Sequence, residues 1–94
     1  MNEDDTPAGQ LPDEEARRIW WRSRRGLREL DLLLLPFVED VLPALDAAER
    51  AIYLRLIDRE DSDLMPILTR REPAEDAELE AMVDRIIAAR REYS

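Results

Sequence analysis

The chain of 94 residues contains no cysteine, no histidine and no lysine. The absence of cysteine excludes disulfides and thiolate nucleophiles. Without cysteine and histidine there is no Cys/His zinc site and no histidine general base, and without lysine no Schiff base. A metal ion would have to be a hard cation on carboxylates, and catalysis would fall to Asp, Glu, Ser, Thr, Tyr or Arg. β-Branched residues are sparse and never alternate over a useful length, so nothing predicts a strand. No window approaches the ~18–20 apolar residues of a membrane span. The acidic N-terminus, MNEDDTPAGQLPDEE, is neither a secretory signal nor an Arg-rich transit peptide. With zero cysteine this reads as a soluble cytoplasmic protein.

What is present is Leu, Ala, Glu and Arg, all good helix formers, in a length that allows one small domain. Residues 1–12 hold Pro7, Gly9, Pro12 and three acids with no apolar period, which predicts a disordered acidic tail ahead of one domain over 13–94. The first helix is expected from about Asp13, a possible N-cap, with Ala16, Ile19, Trp20 and Ser23 inward. Gly26 breaks it. The second places Leu27, Leu30, Leu34, Phe37, Val38 and Val41 on one face, broad enough to be central, with Pro36 kinking it. Asp46 and Glu49 have capping-box spacing before a third helix, with Leu45 as a possible staple and Ala48, Ile52, Tyr53 and Leu56 inward. A short fourth helix, capped by Asp61 or Asp63, buries Leu64, Ile67 and Leu68. A fifth, from about Glu75 to Arg91, buries Leu79, Met82, Val83, Ile86 and Ile87. The expected architecture is all-α, a compact five-helix bundle.

Charge is distributed unevenly. The net charge is -9, and all 14 basic residues are arginine. Residues 1–16 contain acids and no arginine, whereas Arg17, Arg18, Arg22, Arg24, Arg25 and Arg28 follow in a stretch with no acid. Such a run is either a solvated face neutralised by neighbouring helices or a partner-binding patch. Trp21 stands within it, opposite the apolar stripe of the first helix, as a hot-spot anchor or as part of a widened core face. Gly26 fits a left-handed helix end, a close approach by a partner backbone, or both.

The segment RIWWRSRRGLRELDLLLLPFVE, Arg18 to Glu39, resembles the SdhE family of FAD assembly factors. The family signature R-G-x-x-E stands here as Arg25-Gly26-Leu27-Arg28-Glu29. Trp21 lies four residues before Arg25, Ser23 and Arg24 precede it, and E-L-D continues to Asp31. Leu56-Ile57 followed by Asp61, Asp63 and Leu64, and Asp76-Ala77-Glu78-Leu79 with Met82-Val83, resemble later parts of the family, which often has Trp where Ile67 stands. The resemblance covers roughly residues 17–90. It implies a five-helix bundle that binds the flavoprotein subunit of succinate dehydrogenase or fumarate reductase and promotes covalent attachment of FAD to a histidine of that subunit. It implies partner-binding roles for Trp21, Arg24, Arg25, Gly26, Glu29 and Asp31, with FAD the cofactor of the client and not stably bound here. No enzymatic activity, nucleic acid or membrane contact is expected, and the free chain is expected to be a monomer. Glu29, four residues after Arg25, is also placed to pair with it.

Three other functions compete. An antitoxin-like or nucleic-acid-binding regulator would use the arginine run, against the net charge and the lack of a second basic element. A helical adaptor for another client is a second. An enzyme built on Glu29/Asp31 or Asp61/Asp63 is a third, but residues two apart on a helix diverge.

Overall fold

In the computed structural model the described residues are 13–90, and they form α-helices with no strand among them. The helices are α1 (Asp13–Ser23), α2 (Arg28–Asp40), α3 (Ala47–Ile57), α4 (Asp61–Leu68) and α5 (Ala77–Ala88), with a 3-10 turn at Leu42–Ala44. The all-α bundle expected from the sequence is what forms. The tail expected at 1–12, and Arg91 at the expected end of the last helix, lie outside the described residues.

α2 is central, touching α1, α4 and α5, while α3 packs on α5. Its six buried residues, Leu30, Leu33, Leu34, Pro36, Phe37 and Val38, explain that position, because an apolar stripe this wide stabilises only when covered on several sides. The helix runs on through Pro36 to Asp40. Phe37 stacks on the fully buried Tyr53 of α3, with ring centroids 5.3 Å apart. Burying side chains of this size is worth roughly 1.5–3 kcal/mol each.

Local chemistry fixes the helix starts. Asp46 accepts the Glu49 N–H at 2.8 Å and Glu49 accepts the Asp46 N–H at 3.0 Å, completing the expected capping box. The expected staple does not form, because the residue facing Leu45 is Arg50. Its guanidinium donates to the Leu45 carbonyl at 2.6 Å while the Leu45 side chain enters the core. Ala48 is exposed, and the buried residues of α3 are Tyr53, Leu56 and Ile57. Neither Asp61 nor Asp63 caps α4: its N-cap is Glu60, without a side-chain hydrogen bond, and Asp61 is the first helical residue.

α5 begins later than expected, at Ala77, because Asp76 is its cap and accepts the Leu79 N–H at 2.9 Å. That bond, together with Arg55 of α3 at 2.8 Å, holds the Asp76 carboxyl below its ordinary range. Glu80 is lowered likewise, by the Ala74 N–H and then by Arg70. Arg70 adopts a left-handed φ of 63° at the end of α4, and from there its guanidinium reaches Glu80 and Asp84.

Candidate partner-binding site

The arginine run ends in a tight link between α1 and α2, and buried hydroxyls anchor that link from below. Ser23, the last residue of α1, is fully buried, and its Oγ donates to the Ile19 carbonyl at 2.8 Å. That uses its one hydrogen, so the 2.7 Å bond to Tyr53 has the tyrosine hydroxyl as donor. Burial pushes the Tyr53 phenol well above its usual value, and the Ser23 bond and the Arg25 and Arg22 charges draw it only partly back. The Arg24 N–H still bonds the Trp20 carbonyl at 3.0 Å, continuing the helical turn. The chain then reverses at Gly26, whose φ is +78°, and a Cβ there would meet nothing within 4 Å. The glycine is therefore required by conformation, with open space in front of it. Both readings of Gly26 from the sequence are compatible with this geometry.

Arg25 holds the turn from inside. Its side chain is only 15% exposed. Nη2 donates to the Ile57 carbonyl at 2.8 Å and the Arg59 carbonyl at 2.6 Å, and Nη1 to the Arg22 carbonyl at 3.0 Å. Nε lies 3.0 Å from Asp61 Oδ1, an ion contact without hydrogen-bond alignment. A planar guanidinium with donors on three sides suits this task, which an ammonium could not perform. The Arg25 backbone N–H donates to Asp31 Oδ1 at 2.8 Å, so Asp31 ties the turn to the first residues of α2. The expected Arg25–Glu29 pair does not form. The guanidinium points toward the α3–α4 junction, where carbonyls at the end of α3 and the Asp61 carboxylate are less solvated and hold it more strongly than an exposed glutamate.

The remaining motif residues face outward. Trp21 is 60% exposed, which decides against a core role for both tryptophans. Trp20 is the one packed on the core; its indole N–H donates to Glu39 at 3.0 Å and its ring meets Trp21 edge-on at 5.0 Å. Arg24, Gly26, Arg28 and Glu29 are exposed. Leu27, read from sequence as a core residue, is the N-cap of α2 and is 42% exposed. The structure thus brings together the six residues singled out from the sequence, with Trp21, Arg24, Gly26 and Glu29 on the surface and Arg25 and Asp31 underneath. Sequence reasoning missed Leu27, whose place just after the turn puts it out of helical phase. It also missed Asp61 and Tyr53 as supports, for which no local signal exists. Among the described residues no group of carboxylates is arranged to hold a metal, and no helix is long and apolar enough to cross a membrane.

The profile of a protein family described as flavinator of succinate dehydrogenase matches residues 17–90, from the first arginine of α1 through α5. The chain belongs to that family. FAD assembly factor SdhE of Pseudomonas savastanoi pv. phaseolicola is 47% identical over 77 residues, covering 82% of this chain and 92% of the relative. The protein of the same name from Pseudomonas aeruginosa is 45% identical over 78 residues, covering 82% and 93%. That from Pseudomonas putida is 46% identical over 76 residues, covering 81% and 89%. The region shared with the flavinator family contains the whole site, including the supports Tyr53 and Asp61.

Proposed function

We propose that this chain is an assembly factor that binds the flavoprotein subunit of succinate dehydrogenase, or of fumarate reductase, and promotes covalent attachment of FAD to a histidine of that subunit. The observation that carries this reading is the Gly26 turn, a left-handed residue with open space before it, braced by Arg25 and flanked by exposed Trp21, Arg24 and Glu29. A turn held this firmly loses little freedom on binding. Exposed Trp and Arg are the side chains that most often dominate binding energy. Membership of a family named for flavinating succinate dehydrogenase supports the choice of client.

The covalent chemistry lies with the client. This chain has no histidine to accept the flavin and no histidine or lysine to act as a conventional base. Joining the client's imidazole to a flavin methyl carbon would break a methyl C–H bond, release its proton and leave two electrons on the flavin ring for a later electron acceptor. It would need alignment of the two groups and stabilisation of negative charge on the ring. Alignment contributes several kcal/mol, up to about 7–11 in ideal intramolecular systems. The chain supplies it by holding the client in one arrangement, without catalysing a step itself and without binding FAD stably. Gly26 permits close approach, Trp21 is the anchor, and Arg24 and Glu29 make charged hydrogen bonds; Arg25 and Asp31 act by fixing the turn. The setting is the cytoplasm, with the free chain monomeric.

The test is covalent flavin yield on the client with Gly26→Arg and Glu29→Ala proteins whose helicity and melting transition show them folded. Yields at least about tenfold below the unsubstituted protein are expected, a loss of the size that hot-spot truncation produces. Unchanged yields from both would sink the assignment.

A further inference from the structure

The arginines of α1, the link and the start of α2 fall into two groups. Arg18 pairs with Glu14 at 3.3 Å and Arg22 with Asp58 at 3.7 Å, and Arg25 is held by Asp61 and backbone carbonyls. Arg17, Arg24 and Arg28 are exposed and have no acidic partner among the described residues. Two of these three, Arg17 and Arg24, are spaced with Trp21 as i, i+7 and i+4, which places all three on one stripe of the helix. The helical bond from Arg24 N–H to the Trp20 carbonyl keeps Arg24 in that phase. Among the described residues the protein therefore pairs Arg18, Arg22 and Arg25 and leaves Arg17 and Arg24 without ion pairs around an exposed indole, with Asp13 at the start of the same stripe, although its net charge is -9.

Resting on the function proposed above, we infer that the Arg17–Trp21–Arg24 stripe docks on an acidic patch of the flavoprotein subunit that has an apolar recess for Trp21. Arg17 thereby joins the partner-binding residues, about two helical turns before the Gly26 motif. Charge complementarity selects this occupant. A second copy related by two-fold symmetry would set these arginines against one another, and like charges across an interface are strongly disfavoured. Unpaired surface charges act mainly on encounter rate and salt dependence, whereas a buried aromatic acts on dissociation. The two kinds of residue in the stripe should thus be separable by salt.

The experiment measures affinity of the full chain for the purified flavoprotein subunit at low and high NaCl, for the unsubstituted protein, Arg17→Glu, Arg24→Glu, Trp21→Ala and the ion-paired control Arg18→Ala. Arg17→Glu and Arg24→Glu should each weaken binding about tenfold at low salt and flatten its salt dependence, since exposed charges are screened within roughly 10 Å at 0.1 M. Trp21→Ala should weaken binding by a similar factor at both salts, and Arg18→Ala should leave it unchanged. Unaltered affinity and salt dependence in the two charge reversals overturns the inference. So does a gain in affinity, the result if these arginines instead hold the chain's own acidic residues 1–12. Binding by the unsubstituted protein with unaffected variants overturns this inference alone, whereas absence of any binding overturns the proposed function with it.

Discussion

Arg25 and Gly26 are neighbours with opposite tasks. Gly26 supplies a backbone conformation that other residues adopt at a cost of about 1–2 kcal/mol, yet nothing stands within 4 Å of where its Cβ would be. Gly26→Ala should therefore lower stability by about 1–2 kcal/mol in urea unfolding while leaving the helices intact; a loss well above that range would mean a clash the structure does not show. Beneath the turn, Tyr53 ionises only well above its usual pKa because burial disfavours the phenolate. A raised folded-state pKa means that stability from this group is fully present below about pH 10 and is lost as pH rises beyond it. The unsubstituted protein should thus lose stability between about pH 9 and pH 11 more steeply than Tyr53→Phe. Parallel decline in the two proteins would contradict the assignment.

At the scale of elements, the link between α1 and α2 is a joint held by the ends of α3 and α4. Removing Arg25 leaves the Ile57 and Arg59 carbonyls without their donor and Asp61 without its cation. Arg25→Ala should lower stability by roughly 1.5–3 kcal/mol, as expected for hydrogen bonds to a charged group. Arg25→Lys should recover only part, since an ammonium cannot fork across these acceptors; full recovery would show that charge alone suffices. This joint also marks the limit of what the sequence could reveal. The helices were legible because their apolar periods and the Asp46–Glu49 box are local signals, and α2 was expected at the centre from the width of its stripe. Leu27 and Ala48 were misplaced because a period read through a helix end ignores the change of phase there. Asp61 was read as a cap, but its carboxylate is a tertiary partner of Arg25, far away in sequence. No spacing rule reports a contact of that kind.

For the whole molecule, the missing residue types and the uneven charge belong to one account. A chain without histidine, cysteine or lysine presents a braced turn and an indole on α1 flanked by arginines without ion pairs among the described residues, while acids elsewhere pair with Arg55, Arg59, Arg70 and Arg85. The motif itself was visible in the sequence; the division of its residues into those that hold the turn and those that face outward required the fold. The most direct test is reconstitution: purified flavoprotein subunit lacking covalent flavin is incubated with FAD, with and without this chain. Flavin fluorescence is then read on the denatured subunit after electrophoresis. The account predicts that the chain accelerates appearance of flavin on the subunit and that none appears on the chain itself. Equal rates with and without it would contradict the account.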